Sequence, residues 1–315
     1  MPNSPRQTTS QHLPQTSFWR GQNLSSCLCF GLSLLAAIPA QAQLPEPPTV
    51  RIGVLSLFHP HTLLLSSEHP IALLVDGTPH ILDPHHQATI RSTPTGILVD
   101  QTEAHTLTLP PESFTLTVPS KLSRTYRGAL TVTTRNNTLI PVIAIDTELA
   151  VASIVAAEAP PRAPLEALKA QAIASRSFLL ANPYPHRLYD ACDTTHCQFL
   201  RSPPSPSSLA AIATQATRNE VLTWRASPDD PPHLVAAMYS RSCGGQTRPL
   251  ASSDPTKYPF YSVRCDYCRR HPQFQSASHH IGLCQLGAAD LARHGETFSQ
   301  ILIHYYPNTT LVKLP

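Results

Sequence analysis

The stretch that decides the fold runs from Ile154 to Phe178 and reads Ile-Val-Ala-Ala-Glu-Ala-Pro-Pro-Arg-Ala-Pro-Leu-Glu-Ala-Leu-Lys-Ala-Gln-Ala-Ile-Ala-Ser-Arg-Ser-Phe. Residues 147–157, which lead into it, are alanine-rich and predict one helix, which Glu158-Ala159-Pro160-Pro161 interrupts. A second helix begins at Pro164, because proline suits the first helical position, and Asn182-Pro183 stops it. Its apolar residues recur at helical spacing, at Leu165, Leu168, Ala172 and Leu179.

Residues 50–145, on the N-terminal side of these helices, have the pattern of short strands. Apolar runs occur at residues 50–57, 71–75, 96–99, 114–118, 129–134 and 139–145, separated by Pro, Gly, Asp or His. Several alternate apolar and polar residues, as half-buried strands do, and Asp76-Gly77 predicts a hairpin turn. Residues 285–293 predict a further helix capped by Gly295. The chain is therefore predicted to be α+β, with a β-rich part at 50–145 and a mixed part at 146–315.

The N-terminal segment has the plan of a secretory signal peptide. A short apolar core at residues 27–39 follows Arg6 and Arg20, and Ala40-Gln41-Ala42 is a small-residue cleavage site. We expect a signal peptide at 1–42, a proline-rich linker at 43–49, and export to the periplasm or cell wall. An uncleaved membrane anchor is the alternative, and it would be the one membrane contact. The net charge of +3 over 315 residues is too small to indicate nucleic-acid binding.

Four potential metal ligands fall within twelve residues. His186, Cys192, His196 and Cys197 provide two thiolates and two imidazoles, a complete tetrahedral set for zinc. Because such a closed site leaves no position for water, it indicates a structural ion rather than a metallohydrolase. A Cys192–Cys197 disulfide with two incidental histidines is the alternative.

The other cysteines beyond residue 42 are Cys243, Cys265, Cys268 and Cys284. Two disulfides are the first interpretation for an exported protein, and their pairing cannot be deduced from sequence. A four-cysteine zinc site is also open, because Cys265-Asp-Tyr-Cys268 has ligand spacing. A catalytic thiol at Cys243 or Cys284 is less favoured, since the sequence shows neither a neighbouring base nor a lowered pKa.

Glu158 is the candidate general acid. It has no charged neighbour for several residues on either side, and an apolar environment raises the pKa of a carboxyl group. A general acid for glycosidic cleavage needs that property. Taken alone, this is weak evidence, because a lone glutamate that ends a helix is usually a solvated terminus.

Further strings, in order along the chain, resemble the SpoIID/LytB family, which comprises the sporulation stage II protein D lytic transglycosylases and the related amidase enhancers. Residues 126–128 (Tyr-Arg-Gly) precede the stretch quoted above; residues 192–198, 239–247, 282–288 and 301–307 follow it. The resemblance covers roughly residues 49–314. It implies that Glu158 is the catalytic acid and that His186, Cys192, His196 and Cys197 hold a structural zinc ion.

The chain departs from the family pattern at three places. Ala159 replaces the methionine usual after the glutamate, Cys284 replaces a serine, and Leu286 replaces a tryptophan. These changes fall where the family's cleft is expected, so they put substrate preference in doubt more than the fold.

The implied reaction is cleavage of the bond between N-acetylmuramic acid and N-acetylglucosamine in peptidoglycan glycan strands. Glu158 would act as acid and then base, closing a 1,6-anhydro ring on the muramic acid. A non-catalytic wall-binding enhancer of a partner amidase is the alternative function, and a zinc or thiol peptidase is a third. Four further residues in the motifs are expected to line the sugar cleft or brace Glu158: Gln171, Arg176, Ser240 and Gln285.

Overall fold

The structure is a computed structural model that describes residues 49–250, 252–274 and 278–315. Its strands are β1 Thr49–Gly53, β2 Thr62–Ser66, β3 Ile71–Val75, β4 Thr78–Leu82, β5 Ala88–Ser92, β6 Ile97–Val99, β7 Thr102–Ala104, β8 Leu107–Val118, β9 Leu122–Arg135, β10 Thr138–Asp146, β11 Ala191–Cys192, β12 Glu220–Trp224, β13 His233–Leu234, β14 Tyr239–Ser240, β15 Leu283–Cys284 and β16 Thr310–Lys313. Its α-helices are α1 Thr147–Glu158, α2 Leu165–Ala181, α3 Leu209–Ala216, α4 Asp266–Arg270, α5 Gln285–Arg293 and α6 Phe298–Tyr305.

The predicted signal peptide and residues 43–48 of the predicted linker lie outside the described residues, and Thr49 already belongs to β1. In the part of the chain that the structure describes, every helix is too short or too polar to cross a membrane. The described residues form one compact unit.

Eleven strands form the main sheet, in the order β11-β1-β10-β9-β8-β2-β5-β6-β7; in addition β3 pairs with β8, and β4 pairs with β3. Side chains along β2, β5 and β10 alternate between buried and less buried, as expected for strands with one face on a core. The predicted hairpin is confirmed, because Asp76 and Gly77 connect β3 and β4 with φ values of 47° and 83°. Positive φ at both central residues is the geometry of a type I′ turn.

Helix α2 joins the two halves of the hydrophobic interior. One face contributes Leu168, Ala172 and Leu179 to the core under the main sheet. Another face contributes Ala170, Ile173 and Ala174 to a second core formed by residues 222–306. The helix packs against α1, α3, α5, α6 and β12, so it fixes the end of α1 relative to the C-terminal segments.

The helix ends follow the sequence signals. Asp146 caps α1 by accepting a hydrogen bond from the Leu149 amide at 2.9 Å. Pro164 is the N-cap of α2, and Asn182 ends that helix in the left-handed conformation with φ 43°. The predicted α+β class with a β-rich N-terminal part is confirmed.

Two small sheets complete the C-terminal part. One has the order β13-β12-β16. In the other, β14 and β15 run parallel, and Tyr239 and Ser240 pair with Leu283 and Cys284. This pairing brings the segment after residue 238 next to the N-terminus of α5, beside the C-terminal end of α1.

Candidate active site

Glu158 is the last residue of α1, and three segments distant in sequence hold it. The Phe199 amide donates to its Oε1 at 2.5 Å, and the Tyr239 hydroxyl contacts its Oε2. The Gln285 Nε2 donates to the Glu158 backbone carbonyl at 3.0 Å. The last carbonyls of a helix have no intrahelical partners. The hydrogen bond from Gln285 satisfies one of these carbonyls and holds the backbone of Glu158 in place.

The Glu158 side chain lines a cavity of about 770 Å³. The cavity lies between the C-terminal end of α1, the β14–β15 pair, and the segment that follows residues 186–197, the histidine–cysteine loop. The residues lining it are Glu158, Phe178, Tyr184, Thr195, His196, Cys197, Gln198, Phe199, Met238, Tyr239, Ser240, Arg241, Ser278, His279 and Gln285. Among the described residues, Glu158 supplies the only carboxyl group on this surface.

Burial raises the pKa of Glu158 above the ordinary value for a glutamate. Two hydrogen bonds to the carboxylate, from Tyr239 and from the Phe199 amide, oppose that rise without reversing it. The site therefore favours the neutral acid over a wider pH range than water does, and it still offers two donors to the carboxylate once the proton has left.

The Tyr239 hydroxyl has one proton to donate, and two acceptors lie within hydrogen-bond distance of it. It contacts Glu158 Oε2, lies 2.9 Å from Gln198 Oε1 and accepts from Ser175 Oγ at 3.3 Å. The Gln198 amide is oriented by its Nε2, which donates to the Ser175 carbonyl at 3.1 Å. The single phenolic proton can satisfy either Glu158 or Gln198, but not both.

Protonation of Glu158 resolves this shortage. The acid then donates to the Tyr239 oxygen, Tyr239 donates to Gln198, and Gln198 donates to the backbone of α2. When Glu158 is ionised, rotation of one hydroxyl turns the Tyr239 proton toward the carboxylate. The Tyr239 hydroxyl thus partners Glu158 in both protonation states, and in the ionised state Gln198 Oε1 gives up the phenolic proton.

The four predicted metal ligands come together in the structure. The ligand atoms of His186, Cys192, His196 and Cys197 lie within 4.8 Å of one another. His186 Nε2 is 3.3 Å from Cys197 Sγ, and His196 Nδ1 is 3.8 Å and 3.5 Å from the sulfurs of Cys192 and Cys197. A tetrahedral zinc ion separates nitrogen and sulfur ligands by about 3.6 Å, given its usual bond lengths. The sulfurs are 2.9 Å apart, beyond the about 2.05 Å of a disulfide. These four ligand atoms could therefore hold a metal ion.

This loop is attached to the main sheet. β11 adds in parallel to β1, with Ile52 opposite Ala191 and Gly53 opposite Cys192. The buried Asp193 carboxylate accepts from the Leu55 amide at 2.9 Å and from Arg124 at 3.2 Å. Burial nevertheless raises the Asp193 pKa to about 6. Because Gln198 and Phe199 directly follow Cys197, a rigid loop holds the two groups that meet Glu158 and Tyr239.

Two of the predicted cleft residues lie at the site. Ser240 lines the cavity, with its hydroxyl directed at the Ser242 carbonyl at 3.4 Å. Gln285 lines it too and holds the Glu158 backbone.

The prediction for Arg176 is wrong. Its side chain is 1% exposed and forms a two-pronged ion pair with Glu148, through Nε at 2.8 Å and an Nη at 2.5 Å. Glu148 lies in the first turn of α1, at the opposite end of that helix from Glu158. Arg176 also donates to the Glu220 carbonyl at 3.0 Å. It joins α2 to α1 and β12 and reaches neither the cavity nor Glu158.

Gln171 is likewise not among the described residues that line the cavity. It is buried in α2, and its Nε2 has no hydrogen-bond partner among the described residues. Its expected place in the cleft is therefore corrected as well.

Sequence reasoning missed two residues of the network, Tyr239 and Gln198. Both lie within the family motifs, in residues 192–198 and 239–247. Their positions next to Cys197, a predicted ligand, and Ser240, a predicted cleft residue, could have marked them as candidates for the same site. Their contacts with Glu158 and with each other span 81 and 41 positions of sequence, which no local pattern reveals.

Comparison with known proteins agrees with this architecture. Residues 135–224 match the model of the family described as SpoIID, stage II sporulation protein. An uncharacterized protein of Brachyspira hyodysenteriae is 30% identical over 128 residues, which cover 39% of this chain and 32% of that protein. The chain thus matches about a third of the length of that relative. The family is associated with the cell wall and with its lysis. The matched region contains α1, α2, Glu158 and the histidine–cysteine loop, so residues 135–224 are similar to the SpoIID domain.

Proposed function

We propose that this protein is a peptidoglycan lytic transglycosylase in which Glu158 cleaves the bond between N-acetylmuramic acid and N-acetylglucosamine. The observation that carries the proposal is one buried carboxyl group with a raised pKa, set in the wall of a cavity of about 770 Å³. The cell-wall role of the SpoIID family supplies the substrate class.

The first step is proton donation. Glu158 begins as the neutral acid that its burial favours and gives its proton to the glycosidic oxygen as the bond to the leaving N-acetylglucosamine breaks. The resulting carboxylate is stabilised by the Phe199 amide and, after rotation of its hydroxyl, by Tyr239. These two donors act on charge that develops during the reaction, which is the condition for lowering a barrier.

The second step returns the proton. The Glu158 carboxylate takes it from the 6-hydroxyl of the muramic acid, whose oxygen attacks the anomeric carbon and closes the 1,6-anhydro ring. Atoms and protons balance with no water consumed, and Glu158 ends protonated. Tyr239 then turns back toward Gln198.

The composition of the cavity wall supports this route over hydrolysis. A hydrolytic glycosidase ordinarily uses two carboxyl groups, one on each side of the scissile bond. Among the described residues that line the cavity, Glu158 has no carboxylate partner. Attack by a hydroxyl of the substrate itself removes the need for a second carboxyl group.

A polymeric substrate needs more room than one disaccharide, and the structure offers it. A second cavity of about 690 Å³ shares Phe178, Tyr184 and Met238 with the first. Aromatic rings with exposed faces, such as Tyr184, suit the apolar faces of sugar rings. We infer that a glycan strand runs through both cavities, across Tyr184, with the cleaved bond at Glu158.

We infer that His186, Cys192, His196 and Cys197 hold a structural zinc ion. When bound, the ion would supply a cross-link within the loop, because four protein ligands complete its tetrahedron. The residues that follow the loop assist Glu158: the Phe199 amide stabilises the Glu158 carboxylate, and Gln198 orients Tyr239. The protein is further proposed to be exported through its N-terminal segment, with glycan strands as its binding partner.

The test is product analysis. The mature protein, from Gln43, is incubated with purified peptidoglycan, both intact and stripped of stem peptides, and the soluble products are analysed by mass spectrometry. Glu158→Gln is the test variant, and Glu112→Gln, which changes an exposed glutamate of β8, is the matched control. Products ending in 1,6-anhydro-muramic acid are expected from the wild type and the control, and none from Glu158→Gln.

The alternative function gives a different result. A non-catalytic enhancer of a cell-wall amidase would bind wall material without releasing sugars, and Glu158→Gln would leave that binding unchanged. If the folded wild type releases no sugar product from either substrate yet binds both, the enzymatic proposal fails.

A further inference from the structure

A second cluster of sulfur atoms lies outside the proposed reaction. Cys243 follows β14, Cys265 and Cys268 stand at the start of α4, and Cys284 is the last residue of β15 and the N-cap of α5. All four thiols are buried, with at most 2% of each residue exposed. Their sulfurs lie within 4.8 Å of one another. Three segments of the C-terminal part therefore converge on one point.

The spacing of the sulfurs fits one ion better than two disulfides. Cys268 Sγ and Cys284 Sγ are 3.5 Å apart, close to the about 3.8 Å that separates two sulfurs of a tetrahedral zinc tetrathiolate. A disulfide brings its sulfurs to about 2.05 Å and leaves each pair separate from the next. Here every sulfur is a neighbour of the other three, which is the arrangement of ligands around a common centre.

The surroundings offer hydrogen-bond donors directed at the sulfurs. The Tyr305 hydroxyl donates to Cys265 Sγ at 3.6 Å, and the Gly287 amide donates to Cys284 Sγ at 3.4 Å. The Ser242 hydroxyl is 3.5 Å from Cys268 Sγ. A zinc ion with four thiolates carries two net negative charges, and donors around the ligands stabilise that charge.

A glycine provides the room for this packing. A Cβ atom on Gly287 would stand 2.6 Å from Cys265 Sγ and would also collide with the Tyr305 hydroxyl. Real carbon and sulfur atoms do not approach so closely, so any side chain at Gly287 would displace a sulfur of the cluster. Glycine lets the first turn of α5 lie directly against the cluster.

We propose that Cys243, Cys265, Cys268 and Cys284 bind a second zinc ion as a structural tetrathiolate site. Four thiolates close the coordination sphere, so the ion holds segments together and contacts no substrate. Its place explains why Cys284 stands where the family pattern has serine, since this cysteine supplies the fourth ligand.

The second site supports the wall of the cavity opposite the histidine–cysteine loop. Tyr239 and Ser240 lie shortly before Cys243, and Gln285 directly follows Cys284. The tetrathiolate site thus fixes the residues that contact Glu158 from β14 and α5, as the first site fixes Gln198 and Phe199. The proposal stands without the transglycosylase reaction, because a protein that only binds the wall would need the same frame.

The first test uses the wild-type protein. It is purified without chelator, its zinc content is measured by inductively coupled plasma mass spectrometry, and its thiols are alkylated in denaturant with chelator but without reductant. Two equivalents of zinc per chain and alkylation of all six cysteines that are free in the structure are expected. Two disulfides among the four cysteines, iron in place of zinc, or four free thiols without metal would each overturn the proposal.

Reciprocal variants assign each ion to its site. Cys268→Ser is expected to lose one equivalent of zinc, and Cys192→Ser to lose the other. X-ray absorption at the zinc edge of Cys192→Ser should then show only sulfur ligands, at about 2.3 Å. Nitrogen ligands there, or a full loss of zinc confined to Cys192→Ser, would contradict a second site. If Cys268→Ser does not fold, the wild-type zinc and thiol counts still decide.

Discussion

Tyr239→Phe is the change that examines the hydrogen-bond network most directly. It removes the hydroxyl that meets Glu158 Oε2 and lies 2.9 Å from Gln198 Oε1, and it keeps the ring. The Phe199 amide is then the one remaining donor to the Glu158 carboxylate in the described network. Both roles of Glu158 are affected, because Tyr239 accepts from the acid and donates to the carboxylate.

The expected size of the effect follows from the energy of the lost hydrogen bond. A hydrogen bond to a charged group contributes about 1.5–3 kcal/mol, and each about 1.4 kcal/mol of barrier changes a rate tenfold. If the bond acts on the carboxylate that forms during proton donation, kcat should fall about ten- to a hundredfold. The carboxylate also loses a donor in the free enzyme, so the pKa of Glu158 should rise.

The assay is the rate of release of anhydro products from stem-peptide-free peptidoglycan, measured from acidic to alkaline pH. A general acid must be protonated, so activity falls as the pH rises through the pKa of Glu158. In Tyr239→Phe this decline should move to higher pH while the maximum rate falls. Tyr126→Phe is the control, because it removes a tyrosine hydroxyl from a buried position in the main sheet that is not among the residues lining the cavity. A Tyr239→Phe enzyme with the wild-type rate and an unmoved or acid-shifted decline would refute the reasoning.

Three other predictions test the frame around the site. Arg176→Met should cost about 3–5 kcal/mol, because Glu148 is left buried without its partner; urea unfolding measures this, and turnover per folded molecule should be retained. Burial raises the pKa of Glu158, so the native state loses stability as the pH rises through that pKa; Glu158→Gln should match the wild type in acid and be more stable at higher pH in the same unfolding experiments. His196→Ala should lose one equivalent of zinc and much of the activity, as metal analysis and product release will show.

Local signals predicted the helices that carry Glu158. Asp146, Pro164 and Asn182 mark helix ends through their own backbone and side-chain preferences, and the structure puts ends at these positions. The histidine–cysteine loop was also predictable, because its ligands lie within twelve residues. In each case the deciding interaction is short in sequence.

The long strand β8 shows where such reasoning fails. Alternation predicted a strand only at residues 114–118, since Pro110-Pro111 resembles a break. The structure continues the strand through both prolines, and the register with β9 shifts between Leu109 and Glu112. A proline that cannot donate to a neighbouring strand is tolerated at such an irregularity.

The prediction for Arg176 failed for a different reason. A lone arginine in a helix is usually exposed or functional, and nothing near it in sequence shows that Glu148 and the chain before β12 enclose it. The contacts that bury it are 28 and 44 positions distant. Tyr239 was missed for the same reason, because its contact with Glu158 at the end of α1 spans 81 positions of sequence.

In the proposed mechanism one glutamate acts as acid and base, and no water attacks the anomeric carbon. This mechanism is tested most directly by running the reaction in water enriched with heavy oxygen and determining the mass of the new muramic acid ends. We expect anhydro ends that contain no heavy oxygen and that are absent with Glu158→Gln. Reducing ends that carry heavy oxygen would show that water attacked the anomeric carbon, and the single-glutamate mechanism would be wrong.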